Sequence, residues 1–178
     1  MASPLLACGL PLDCFFLSGN WKPETPFLKN APYAADKPKG GGNIPLIVWD
    51  QSYSVNVKRC DEQHQKLLSL LNGLHQAMRV GQGRAVIAPL VQELDAYTDT
   101  HFKAEEALME QASYPALAAH RGQHQTFIAQ VQKFKQSLAT QAGAPTIEVA
   151  SFLMDWLSKH IKQTDRQYAS HLNAKGIH

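Results

Sequence analysis

The sequence predicts an all-α fold: an up-down-up-down four-helix bundle entered by a short N-terminal arm and preceded by a disordered N-terminal tail. Apolar residues recur at helical spacing in four stretches between residues 61 and 171. The breaks between these stretches are a few residues long and rich in Gly and Pro, which makes consecutive helices antiparallel neighbours. Outside the apolar run at residues 46–48, nothing reads as a strand.

Composition narrows the function. The chain has 178 residues, 44% hydrophobic and 18% charged, enough for one domain with a real core. A formal net charge of +2, without a basic stripe interleaved with aromatics, argues against nucleic acid. No apolar run reaches the ~18 residues of a membrane-spanning helix. Cys8, Cys14 and Cys60 are an odd set without metal-ligand spacing, which reads as reduced thiols and a cytoplasmic location.

Residues 1–43 read as a flexible tail, and residues 44–178 as the bundle domain. Pro4, Pro11, Pro23, Pro26, Pro32 and Pro38 fall in the tail, Pro45 sits at its edge, and Lys39-Gly40-Gly41-Gly42-Asn43 reads as a linker. The apolar residues 4–17 raise a signal peptide. Against it stand the lack of an early Lys or Arg, the interruption by Asp13 and the missing Ala-x-Ala site. Residues 44–49 form the arm. Asp61 is placed to cap a first helix running to about Arg79, with Leu67, Leu68, Leu70, Leu71, Leu74 and Met78 on its apolar face. Gly81-Gln82-Gly83 ends it. A second helix spans about Arg84 to Gln111; Pro89 means that it either starts near Ala88 or bends. Pro115 suits the first turn of a third helix, to about Thr140. After the Ala142-Gly143-Ala144-Pro145 turn, a fourth helix runs from about Thr146 to His171.

Each helix carries metal-ligating residue types. The first has His64; the second His101 and Glu105 at i,i+4; the third His120 and His124 at i,i+4; the fourth His160 and Asp165 at i,i+5. Side chains four apart lie one above the other on a helix. Five residues turn through about 140° of α-helix, so His160 and Asp165 are expected to straddle a site rather than stack. A lone histidine on an apolar face is more often a satisfied core residue, but five histidines and two carboxylates spread over four helices are how a bundle builds a metal site. The set is too large for one tetrahedral zinc and suits two ions bridged by carboxylates; imidazole with carboxylate suits iron, with zinc or manganese as alternatives. His75 and His171 lie eleven residues past a proposed ligand, about 16 Å along a helix, and read as non-ligands. His178 is in the C-terminal tail. Glu106 is about 100° around the helix from Glu105 and reads as solvated.

Trp49, Asp61-Glu62-Gln63-His64, His101-Phe102-Lys103-Ala104-Glu105-Glu106, Tyr114-Pro115, His120-Arg121-Gly122-Gln123-His124 and the run from Trp156 through His160 to Asp165 together resemble the hemerythrin family, specifically its single-domain bacterial members, over residues 46–172. The resemblance implies reversible dioxygen binding at a non-haem centre of two iron ions with an oxo or hydroxo bridge. It implies one iron held by His120, His124 and His160, the other by His64 and His101, with Glu105 and Asp165 bridging and one position open for dioxygen. It also implies an oxygen pocket lined by Phe102, Trp156, Leu157 and Ile161, with Trp49 closing one end.

The expected role is thus a dioxygen carrier or store, not an enzyme, with dioxygen as ligand and an oxygen-consuming client protein as a potential partner. A dioxygen or redox sensor module and a di-iron oxidase or peroxidase are the alternatives. A sensor needs an output domain, and the tail is short for one. Bundle oxidases use Glu-x-x-His on two helices, and the sequence contains none. Nor does it offer an obvious proton donor beside Leu157. The tail's composition leads to a direct expectation: a chain starting at Ile44 keeps its iron and its melting temperature, and a large drop in either would show residues 4–17 docked on the bundle.

Overall fold

The computed structural model describes residues 45–140 and 145–178. The proposed tail, with Cys8 and Cys14, and most of the turn before Pro145 lie outside them. The described residues form four helical rods and no strand. The first three are α1 (Lys58–Arg79), α2 (Gly83–Gln111) and α3 (Leu117–Ala139). The fourth is composite: α4 (Thr146–Trp156), a π-helical stretch (Leu157–Asp165) and α5 (Arg166–Asn173). α1 packs beside α2 and α2 beside α3, α4 closes the bundle against α1, and α3 meets the fourth rod through Phe127 and Phe134 on Phe152 and Trp156. No helix among the described residues is long and apolar enough to cross a membrane.

Local chemistry explains most boundaries and corrects two. α1 starts three residues before Asp61, with no side-chain cap. Asp61 points back instead and ties down the incoming loop, accepting from Ser54 Oγ at 2.6 Å and Val55 N at 2.8 Å. The αL turn that ends α1 falls on Gly81, at φ 74°. α2 starts at Gly83 and continues through Pro89 without a break. Both Pro89 and Ala85 are exposed, so the carbonyl that loses its helical donor is left facing water, which limits the cost. In the arm, a short 3₁₀ turn (Gln51–Tyr53) carries Tyr53, on which Trp49 stacks at 5.9 Å. The arm is clasped to α1 by Asn72, whose amide both accepts from Ile47 N (3.0 Å) and donates to Ile47 O (2.8 Å).

The core divides in two. The larger cluster joins Leu67, Leu71 and Leu74 of α1, Leu90 and Leu94 of α2, Phe127 and Val131 of α3, and Leu153 of α4. The smaller one joins Val55, Val57, Cys60, Met109, Tyr168 and Leu172 at the opposite end of the bundle. Between them, along every rod, sit the polar residues singled out by the sequence.

Candidate metal centre

Cys60 belongs to the smaller cluster and Leu67 to the larger, and His64 lies between them on α1. The same alternation holds His101 and Glu105 on α2 between Tyr97 and Met109, and His160 and Asp165 between Leu157 and Tyr168. All seven proposed ligand residues are buried, none more than 3% exposed.

Five imidazole Nε2 atoms converge on two carboxylates. Glu105 Oε2 lies 3.0 Å from His124, 3.3 Å from His120 and 3.8 Å from His101. Asp165 presents Oδ1 to His160 at 3.0 Å and to His120 at 3.6 Å, and Oδ2 to His64 at 3.4 Å. Two sets of donor atoms are compact enough for a cation: Glu105 with His120, His124 and His160, and Glu105 with His64 and His101. Glu105 is common to both, and Asp165 reaches histidines of each.

The His160–Asp165 pair is closer than the sequence suggested. An i→i+5 hydrogen-bond pattern widens the turn, so five residues amount to nearly one revolution and the two side chains stack rather than straddle. The π-helical stretch is thus what turns an i,i+5 spacing into a shared ligand face.

The tautomers follow from the outer partners. Nδ1 of His124 faces Glu106 Oε1 at 2.8 Å, Nδ1 of His160 faces Gln123 Oε1 at 2.8 Å, and Nδ1 of His101 faces Gln63 Oε1 at 3.0 Å. Each of these oxygens only accepts, so each Nδ1 carries the proton and each Nε2 turns a lone pair inward. Lone pairs then face carboxylate oxygens across 3.0–3.8 Å. Nε2 of His64, His101, His124 and His160 and both oxygens of Asp165 are buried without any hydrogen bond. An acceptor facing an acceptor in a dry interior is stable only with a cation between them. The donor set therefore fits metal ions.

The histidines divide in how burial and the carboxylates affect them. Burial pushes His101 down to about 3 and lowers His160. Burial acts likewise on His64 and His124, but the facing carboxylates overcome it and raise both. Burial opposes ionisation of Glu105, yet the surrounding histidines, His101 foremost, hold it well below the usual carboxylate range.

Aromatic rings wall this centre on the side of the larger cluster. Phe102 stacks on His124 at 3.8 Å, and Trp156 stacks on His160 at 3.8 Å. Leu157 and Ile161 are fully enclosed beside them. Trp49 is half-buried against the same cluster. His75 lies apart, and His171 is bonded to the carbonyl oxygen of Ala112 at 2.9 Å.

Three neighbours escaped sequence reasoning. Glu106 is not simply solvated: it accepts from His124 and pairs with Arg121 at 3.0 Å. Tyr168 donates its hydroxyl to Glu105 Oε1. Tyr97 is buried with its ring against His101, its phenol held well above the usual range by burial and then by the charges of Glu105 and Asp165. The expectation of no obvious proton donor concerned the space beside Leu157; the two phenols lie instead against the ligand residues His101 and Glu105. A signal existed: Tyr97 is four residues before His101 and Tyr168 three after Asp165, so each shares a face with a ligand.

Comparison with known proteins agrees with this geometry. Residues 55–172 match the family described as hemerythrin HHE cation binding domain. The chain is 37% identical over 132 residues to a bacteriohemerythrin of Stenotrophomonas maltophilia, covering 74% of this chain and 84% of that one. It is 35% identical over 123 residues to a bacteriohemerythrin of Pseudomonas aeruginosa, covering 68% and 78%. A crystal structure of wild-type hemerythrin superposes with a TM-score of 0.65 at 27% identity, over 71% of this chain and 98% of that one.

Proposed function

The chain belongs to the hemerythrin family, and on that premise we propose that it binds dioxygen reversibly, as a carrier or store, at a centre of two iron ions. The observation that carries the proposal is the pair of donor sets sharing Glu105, with inward lone pairs that nothing else satisfies. His120, His124 and His160 would hold one ion and His64 and His101 the other, with Glu105 and Asp165 spanning both. A pair of ferrous ions bound there would supply the electrons for reversible dioxygen binding.

The protein's own residues do three things. Gln63, Glu106 and Gln123 fix the tautomer and aim of their histidines. Phe102, Trp156, Leu157 and Ile161 keep water from the ligand side. Five neutral imidazoles against two carboxylates leave the centre less anionic than the carboxylate-rich shell of bundle oxidases, which favours release of bound dioxygen over its cleavage. A di-iron oxidase is the competing reading, and the phenols of Tyr97 and Tyr168 are the features that favour it, because they bring hydroxyl protons near the centre.

The test separates the two. Iron analysis should give two ions per chain. The reduced protein should take up one dioxygen per pair, change its visible spectrum, and return to the colourless state under vacuum over several cycles. Steady consumption of dioxygen and reductant, with none recovered, would put the oxidase in its place.

A further inference from the structure

The two phenols beside the centre are not equivalent. Tyr168 has its hydroxyl on Glu105. Tyr97 is 1% exposed, and its hydroxyl oxygen has no hydrogen-bond partner. Buried tyrosine hydroxyls ordinarily find a partner, because an unmet donor in an apolar interior is costly. Tyr97 packs among the aliphatic and aromatic side chains of the larger cluster, and its hydroxyl oxygen is the part left unmatched.

Its position says what the acceptor is. Tyr97 precedes His101 by one helical turn, and the two rings stack at 4.8 Å and 27°. His101 in turn meets His64 edge to face at 5.0 Å. This is the poorer half of the donor set, where two imidazoles stand against three on the other side. An ion held there would have fewer protein ligands and so more room for a small exogenous one. Phe102, which walls the site, lies edge-on to Tyr97 at 6.2 Å.

We propose that the Tyr97 hydroxyl is the hydrogen-bond donor to a small ligand held on the His64/His101 side of the centre. The ligand is dioxygen if the function proposed above holds, and the inference rests on that reading for the presence of iron. A phenol is protonated at neutral pH and can only gain by donating to a ligand that carries negative charge.

The test uses the full-length, iron-loaded protein with azide as probe. Tyr97→Phe keeps the ring on His101 and removes only the hydroxyl. Iron content should be unchanged, the azide dissociation constant should rise about tenfold, and the azide infrared stretch, shifted by D₂O in the wild type, should lose that shift. The metal-free variant should melt at or above the wild-type temperature, since the hydroxyl has no partner to lose. Unchanged azide affinity, a retained isotope shift, loss of iron, or a lowered metal-free melting point would each overturn the assignment. If wild-type protein binds azide with a D₂O-sensitive band that Tyr97→Phe abolishes, yet never releases dioxygen, the carrier reading falls and the role of Tyr97 stands.

Discussion

Glu105→Ala is expected to leave the protein folded and unable to hold its iron. Glu105 is the residue common to both compact donor sets and lies within 3.8 Å of three imidazoles, so its loss strips a ligand from each ion at once. Glu106→Gln is the matched comparison. Glu106 supports His124 from outside, and removing such a supporting partner lowers metal affinity by about 10–100-fold. The alanine at 105 should cost well beyond that. The fold should survive, because the main cost in the metal-free chain is the orphaning of the Tyr168 hydroxyl and of His120 Nε2, about 1–3 kcal/mol each. Elemental analysis after dialysis against a weak chelator reads the first effect and circular dichroism the second. Equal iron loss in both variants would mean that Glu105 has no bridging role.

Phe127→Ala is expected to have the largest effect on stability. The ring is fully buried and meets Trp156 at 4.6 Å, Phe152 at 4.8 Å and Phe102 at 5.4 Å. Deleting it should cost about 3–5 kcal/mol, a large share of the roughly 5–15 kcal/mol that holds a domain together. In urea the midpoint should fall by about 2 M at a slope near 2 kcal/mol/M. The damage should reach the centre too. Phe102 and Trp156 lean on Phe127 and are the rings stacked on His124 and His160. Iron should bind more weakly, and added iron should restore part of the lost stability by mass action. A metal-free midpoint within error of the wild type would refute the packing argument.

The legible parts of this protein were those governed by spacing along a regular α-helix. His101 with Glu105 and His120 with His124 announce a shared face by their i,i+4 separation, and the leucines of α1 announce its buried side. The hemerythrin membership was legible for the same reason. What stayed hidden depended on neighbours distant in sequence or on a change of helix type. Asp61 has the composition of a cap, but the loop at Ser54 and Val55 competes for its oxygens and wins. Glu106 was judged by its angle from Glu105, whereas the deciding partners, Arg121 and His124, come from α3. Tyr97 and Tyr168 are core residues, and only the three-dimensional count of donors and acceptors separates their hydroxyls from inert bulk.

The π-helical stretch from Leu157 to Asp165 bears on how spacing itself should be interpreted. Distance in sequence is a ruler whose unit is set by the hydrogen-bond ladder beneath it. On an α ladder four residues return to the same meridian; on the wider ladder here, five do. His160 and Asp165 therefore encode the local winding as much as they encode a ligand pair. When two residues destined for one centre sit five apart within an unbroken helix, the separation is a signature of underwinding at that point. It also follows that the extra residue in this turn is part of the site's specification, although its own side chain need touch nothing there.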